Sequence, residues 1–225
     1  MSDRRLLYYI TDRTQLPSIA GSRRRALLAK ITEAAAAGVD YIQLRERDLS
    51  AKDLERLASD AVRVIREQQA AGNESRVPTR LLINARTDVA LAAGADGVHL
   101  RSDDVAPDDV RAIWQSCGPG AACVPAPIIA VSCHSVADVL RAATDHADFA
   151  VFAPVFGKAA FSAAPPAGLD ALREACRVDI PVLALGGVTL QNAAACLEAG
   201  AAGVAGIRLF QENRIEDTVR ALRAL

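Results

Sequence analysis

Gln43, Arg45 and Arg47 are spaced by two, which puts an amide and two guanidinium groups on one side of an extended segment. Two arginines aimed at one place suit bidentate recognition of phosphate or pyrophosphate, and without such an anion they repel each other. The competing use is an ion-pair network with Glu46 and Asp48, in which the pair serves structure alone. In the anion reading Glu46 faces away from the pair. Far along the chain, Gly186-Gly187 precede Val188-Thr189 and a helix expected from about residue 190. Glycines there let backbone amides approach a phosphate at a helix N-terminus, and Arg208 adds a charge-assisted contact. A tight turn without a ligand uses the same residues.

His134 follows Ser132 and Cys133, and histidine exchanges protons near neutral pH, which suits general acid–base work. A Cys133 nucleophile paired with His134 is disfavoured, because adjacent residues on an extended chain diverge and no orienting carboxylate is evident. Helix capping or packing is the other role open to His134. His99 points either to the same mouth or into a core. Asp103 and Asp104 suit Mg2+, which one or two carboxylates hold together with substrate phosphates. Adjacent acids before Val105-Ala106-Pro107 equally well begin a helix.

These groups need a frame that brings distant segments to one place. Short apolar segments at 6–11, 41–45, 81–84, 97–100, 128–131, 149–152, 182–185 and 204–207 read as strands buried on both faces. Between them, apolar residues recur at spacings of three and four over 23–37, 51–70, 136–146, 169–176 and 191–199, which predicts helices. The βαβα alternation implies a parallel sheet with helical crossovers. A weak repeat supports it: Ala37-Gly38-Val39-Asp40, Ala93-Gly94-Ala95-Asp96 and Ala199-Gly200-Ala201-Ala202 each place glycine between a helix and a strand. An open doubly wound sheet uses the same units. The count of eight, without GxGxxG after an early strand, favours a single (β/α)8 TIM barrel over residues 1–225. Its active site belongs at the C-terminal strand ends, where Thr11, Asp12, Gln43, Arg45, Asn84, His99, Ser132, His134, Gly186 and Arg208 all fall. Residues 72–78 and 118–127 read as surface loops.

A net charge of −1 supplies no basic field for a polyanion, so nucleic acid is not an expected partner. No window approaches the ~18 apolar residues of a membrane span. Residues 1–5 are polar and lack the apolar core of a secretory signal, so a cytoplasmic location is expected. The 5 cysteines, at positions 117, 123, 133, 176 and 196, have no CxxC spacing and read as reduced thiols, mostly buried. Self-association as a homodimer is a further expectation from the Ala-rich helices.

Five stretches, Ile42-Gln43-Leu44-Arg45-Glu46-Arg47, Ile83 to Ala90, Gly94-Ala95-Asp96-Gly97-Val98-His99-Leu100, Val131-Ser132-Cys133-His134-Ser135 and Leu183-Ala184-Leu185-Gly186-Gly187, resemble the thiamine phosphate synthase family with its thiazole tautomerase (TenI-type) branch. The resemblance runs from Tyr8 to Ala205. It implies the barrel, a thiazole phosphate ligand and a role in thiamine biosynthesis. The synthase joins a hydroxymethylpyrimidine diphosphate to thiazole phosphate with Mg2+ and basic side chains on the departing pyrophosphate. Gln43 and Arg45 match pyrophosphate-site positions, Arg47 replaces a lysine, Asn84 matches an asparagine after the third strand, and Asp104 matches one metal-binding aspartate.

Three departures bear on the reaction. Ala85 stands where the synthase has its other metal aspartate, Arg101-Ser102 replaces Gly-Gln, and Gly157-Lys158-Ala159-Ala160-Phe161 replaces a Thr-Pro-Thr-Lys loop. One carboxylate and one loop cation are thus lost from the ionisation step, although Lys158 offers a substitute. The tautomerase branch needs neither metal nor diphosphate, and its proton-transferring histidine matches His134. The leading expectation is a thiamine-biosynthetic enzyme with tautomerase capacity, in which Gly186, Gly187 and Arg208 hold the thiazole phosphate. There, Arg45 and Arg47 bind a carboxylate or help with the phosphate. A diverged synthase stands close behind, and Gln43 favours it. Two further readings are a non-catalytic sensor of thiazole or thiamine phosphate and an unrelated sugar-phosphate isomerase. Mg2+ is expected only for the synthase.

Overall fold

The computed structural model describes residues 4–17, 22–71, 77–116, 125–157 and 166–225. Eight strands, β1 Leu6–Ile10, β2 Tyr41–Leu44, β3 Arg80–Asn84, β4 Gly97–Leu100, β5 Ile128–Cys133, β6 Phe149–Phe152, β7 Val182–Ala184 and β8 Gly203–Gly206, pair in parallel in chain order. β8 returns to β1 and closes the barrel, with Leu6 opposite Gly203 and Tyr9 opposite Gly206. The helices among the described residues are α1 Arg23–Ala37, α2 Ala51–Ala71, α3 Thr87–Ala93, α4 Pro107–Ser116, α5 Val136–Thr144, α6 Gly168–Ala175, α7 Ala193–Glu198, α8 Arg208–Gln211 and α9 Ile215–Arg223. None of them is long and apolar enough to cross a membrane.

Alternation along each strand divides the apolar residues between two compartments. Tyr8, Ile10, Leu82, Phe149, Val151 and Leu183 fill the barrel interior. Leu7, Tyr9, Ile42, Ile83, Val98 and their outward-facing neighbours meet the helices in a second, larger cluster. Burying both faces explains why the strand segments read as near-continuous apolar runs.

At the N-terminal end of the barrel, aspartates preceding even-numbered strands clamp the odd-numbered strand before them. Asp40 donates its amide to Leu7 O at 3.1 Å and accepts Leu7 N on Oδ2 at 2.7 Å. Asp96 does the same with Leu81, at 2.9 and 2.8 Å, and Asp148 with Ile129, at 2.8 and 2.7 Å. Each carboxylate also meets arginine: Asp40 with Arg4 and Arg223, Asp96 with Arg80, Asp148 with Arg111. Ala202, before β8, keeps the backbone bond to Val182 at 2.8 Å but has no carboxylate to add. The repeat noticed in the sequence is thus a register device.

Most boundaries differ from the sequence reading by one or two residues. α5 stops at Thr144, since His146 takes a left-handed φ of 57°. The larger correction concerns the helix expected from about residue 190, which begins at Ala193. Asn192 is the cause: its Oδ1 accepts Thr189 N at 2.8 Å and its Nδ2 donates to Gly187 O at 3.0 Å, folding the intervening residues into a turn. Cys117, Cys123 and most of the 118–127 loop lie outside the described residues.

Asp40 is 4% exposed and closes contacts to two arginines and a strand amide. Asp40→Ala leaves those charges and the amide unpaired, and is expected to lower the unfolding free energy by about 3 to 5 kcal/mol, read by equilibrium urea denaturation.

Candidate functional site

The C-terminal ends of the strands surround a polar layer seated on the apolar interior. Gln43, 2% exposed, donates from Nε2 to Asn84 Oδ1 at 2.8 Å. His99, 3% exposed, lies between Tyr8 OH, 2.9 Å from Nδ1, and Ser132 Oγ, 2.7 Å from Nε2. The alternative of mouth or core resolves toward the interior. Burial, and then the charge of Arg45, push the imidazole down to about 3, so His99 is neutral at ordinary pH.

Arg45 therefore sits within electrostatic reach of the barrel axis. Its amide donates to Thr11 Oγ1 at 3.0 Å, but its guanidinium has no hydrogen-bond or ion-pair partner among the described residues. Burial lowers its pKa, the charge of Arg47 lowers it further, and Asp12 and Glu46 offset part of this. Arg47 is exposed. Such a half-buried cation is poised for an anionic partner.

Glu46 and Asp48 do not supply that partner, because Arg13 occupies them. Arg13 Nη1 reaches Glu46 Oε2 at 3.0 Å and Asp48 Oδ1 at 2.6 Å, and Arg13 Nη2 reaches Asp48 Oδ2 at 2.8 Å. The hydrogen bond to Asp48, with Glu46 behind it, raises the Arg13 pKa. Glu46 is 5% exposed and also accepts Thr11 Oγ1 at 2.7 Å, on the side of β2 away from Arg45. Next to Arg13, Asp12 exchanges hydrogen bonds with Gln211 of α8, at 2.8 Å to its amide and 3.0 Å to its carbonyl. Burial favours the protonated Asp12 carboxyl, but bonds from Thr14 and Gln15, with the Arg45 charge, hold it below the usual range. The β1, β2 and β8 ends are thereby tied together. Arg13 and Gln211 had no mark in the sequence, since their partners stand tens to hundreds of residues away.

His134 is exposed at the end of β5. Its Nδ1 lies 2.7 Å from Ala153 O, and a carbonyl only accepts, so the proton of the neutral ring is on Nδ1 and the Nε2 lone pair has no partner among the described residues. Capping of α5 falls to Ser135, whose side chain accepts Asp138 N while Asp138 accepts Ser135 N. His134 adds only its backbone amide to that box, donating to Asp138 Oδ2 at 3.0 Å.

Gly186 and Gly187, with φ of 95° and 66°, turn β7 against the loop after β6. A Cβ on Gly186 meets Pro154 Cα at 2.7 Å, and one on Gly187 meets Phe156 Cβ at 2.8 Å, so neither position has room for a side chain. The amides of Gly187 and Arg208 find no acceptor among the described residues, and the Arg208 side chain is exposed. Because α7 starts at Ala193, a cradle here uses loop amides and not the α7 terminus.

Asp104 is drawn elsewhere. Its Oδ2 accepts Arg101 N at 3.3 Å and lies 3.7 Å from Arg101 Nε, while Asp103 pairs with the same Nε at 3.4 Å. Both acids line a cavity of about 340 Å³ between residues 100–107 and α5, which includes neither Arg45, Asn84, Ser132 nor the diglycine. Ala85 holds a left-handed φ of 51°. Among the described residues, no three His, Cys, Asp or Glu side chains gather as a metal site. Lys158 and most of the loop expected to carry a cation lie outside the described residues.

Comparison with known proteins points one way. The family model for thiamine monophosphate synthase matches residues 7–210. A relative from Geobacter sulfurreducens is 41% identical over 224 residues, spanning 97% of this chain and 93% of its own. A thiamine-phosphate synthase of Roseiflexus castenholzii is 39% identical over 208 residues, spanning 92% and 81%. Among solved structures, thiamine phosphate pyrophosphorylase from Pyrococcus furiosus superposes with a TM-score of 0.75 at 27% identity, covering 97% of this chain and 94% of that one.

The neutral, buried His99 sets an acid limit on the fold. Its folded-state value, about 3, is below the ordinary 6.5, so unfolding takes up a proton between those values. Stability is intact above that window and falls with pH inside it, by up to about tenfold in the folding equilibrium per pH unit. Denaturant midpoints measured across this range should be flatter for His99→Asn than for the parent.

Proposed function

Since the chain belongs to the thiamine monophosphate synthase family, we propose that it is a thiamine-biosynthetic enzyme that binds a thiazole phosphate at the barrel mouth and shifts a double bond by proton transfer. The observation that carries this reading is the bond from His134 Nδ1 to Ala153 O at 2.7 Å, which leaves Nε2 as an oriented base. In the proposed step, Nε2 takes a proton from a ring carbon and the electron pair moves through the ring. The imidazolium then returns the proton to the exocyclic carbon at the other end. Nothing is oxidised or reduced, and Nδ1 keeps its bond to Ala153 throughout.

The phosphate is assigned to the amides of Gly187 and Arg208, which have no acceptor among the described residues, with the Arg208 guanidinium as counter-charge. Gly186 keeps that loop close to Pro154. Arg45, whose guanidinium has no hydrogen-bond or ion-pair partner among the described residues, takes the second anionic group of the ligand, a carboxylate, and Arg47 at the rim draws the ligand in. Gln43 and Asn84 form the neutral wall beside Arg45.

The family's Mg2+ does not fit this donor set. Ala85 offers no carboxylate, and Asp104 is committed to Arg101 beside a different cavity. The second reading, a diverged synthase joining pyrimidine diphosphate to thiazole phosphate, draws support from the Gln43–Asn84 pair and from the synthase names of its relatives.

His134→Asn is expected to lower kcat on the thiazole tautomer by about 10² to 10⁴ with little change in KM, followed by ring absorbance. A parent protein that binds the tautomer without turning it over is a sensor. Thiamine phosphate formed from pyrimidine diphosphate and thiazole phosphate only when Mg2+ is added would replace the tautomerase reading with the synthase.

A further inference from the structure

Ser132 stands half-buried at the end of β5, two residues before His134 and on the same side of the strand. Its hydroxyl has one hydrogen-bond partner among the described residues, His99 Nε2. Which of the two donates decides what Ser132 offers upward into the mouth.

The hydrogens can be placed from the bottom of the network. The Tyr8 ring is fully buried, edge-on to Tyr41 and Phe149, and its hydroxyl has His99 Nδ1 as its only hydrogen-bond partner among the described residues. A buried O–H without an acceptor costs about 1 to 3 kcal/mol, so Tyr8 donates to Nδ1. Neutral imidazole carries one N–H, which must then be on Nε2 and be donated to Ser132 Oγ. The serine hydrogen is left free and directed away from His99, toward the mouth. In the opposite tautomer the Tyr8 hydrogen is orphaned and Ser132 presents only lone pairs.

We propose that Tyr8 and His99 are a positioning pair that fixes Ser132 as a hydrogen-bond donor to an anionic oxygen of the ligand, shared with the Arg45 guanidinium. The inference rests on the mouth being the ligand site, as in the proposed function. It adds a direction to the selectivity: a carboxylate oxygen over Ser132 receives the free hydroxyl hydrogen, which an amino or ring N–H group in that position leaves without an acceptor. The same pairing engages both ring nitrogens of His99, one with Tyr8 and one with Ser132, so His99 does not compete with His134 as a base.

Two measurements on the full chain separate this proposal from the reading beneath it. Nitrogen-15 NMR of the imidazoles should show His99 protonated at Nε2. A proton on Nδ1 overturns the positioning pair whatever binds. Titration with thiazole phosphate bearing or lacking the ring carboxylate should show the parent preferring the carboxylated form. Ser132→Ala should reduce that preference about tenfold, Ser132→Thr should restore it, and Tyr8→Phe, which keeps the ring packing, should weaken it while His99 populates both tautomers. A preference unchanged in Ser132→Ala also overturns the proposal. Binding of neither compound by the parent sinks the thiazole reading itself, and with it the ligand half of this inference.

Discussion

Eight strands of three to six residues close on themselves only if each begins in register, because a one-residue slip exchanges the interior with the helix-facing surface. With so few ladder bonds per pair, register is set at the strand entrances. The reciprocal bonds of Asp40, Asp96 and Asp148 to Leu7, Leu81 and Ile129 do this for three of the four odd strands. Everything at the opposite end inherits that register: Gln43 beside Asn84, His99 between Tyr8 and Ser132, and Arg45 facing the axis instead of the helices.

The division of labour between barrel ends follows from charge. At the entrances, carboxylates and arginines neutralise one another, as Asp40 does with Arg4 and Arg223. At the mouth the acids are used up locally, Glu46 and Asp48 by Arg13, Asp103 and Asp104 by Arg101. Among the described residues the side chains of Arg45, Arg47 and Arg208 are left without an ion pair there, and of these Arg45 is the half-buried one, above an imidazole that burial keeps neutral. Local pairing thus generates an anion-seeking centre on a chain whose net charge is only −1.

The strands were legible because burial on both faces leaves an uninterrupted apolar run, and the mouth residues because strand ends can be counted. What escaped depends on side chains acting on distant or unexpected backbone. Asn192 delays α7 by bonding Thr189 and Gly187, an effect that helical periodicity does not register. β8 begins at Gly203, a residue with no side chain to mark it. Arg13 looks like an ordinary turn residue until folding brings Glu46 and Asp48 to it. The resting tautomer of His134 depends on the carbonyl of Ala153, a group that every residue carries. Ser135 and Asp138 carry a capping-box pattern that the sequence does show, and it separates helix capping from the work of His134.

Ala85 holds a left-handed backbone that aspartate and asparagine adopt more readily than alanine does. Its methyl group is therefore no concession to chain geometry, and an acid restored at this site meets no conformational resistance. The obstacle to pairing it with a second carboxylate lies instead in the loop after the neighbouring strand β4, where Arg101 detains Asp104. Two positions on separate loops would have to change together before two carboxylates could meet at this end of the barrel, so the single missing ligand is only half of the difference.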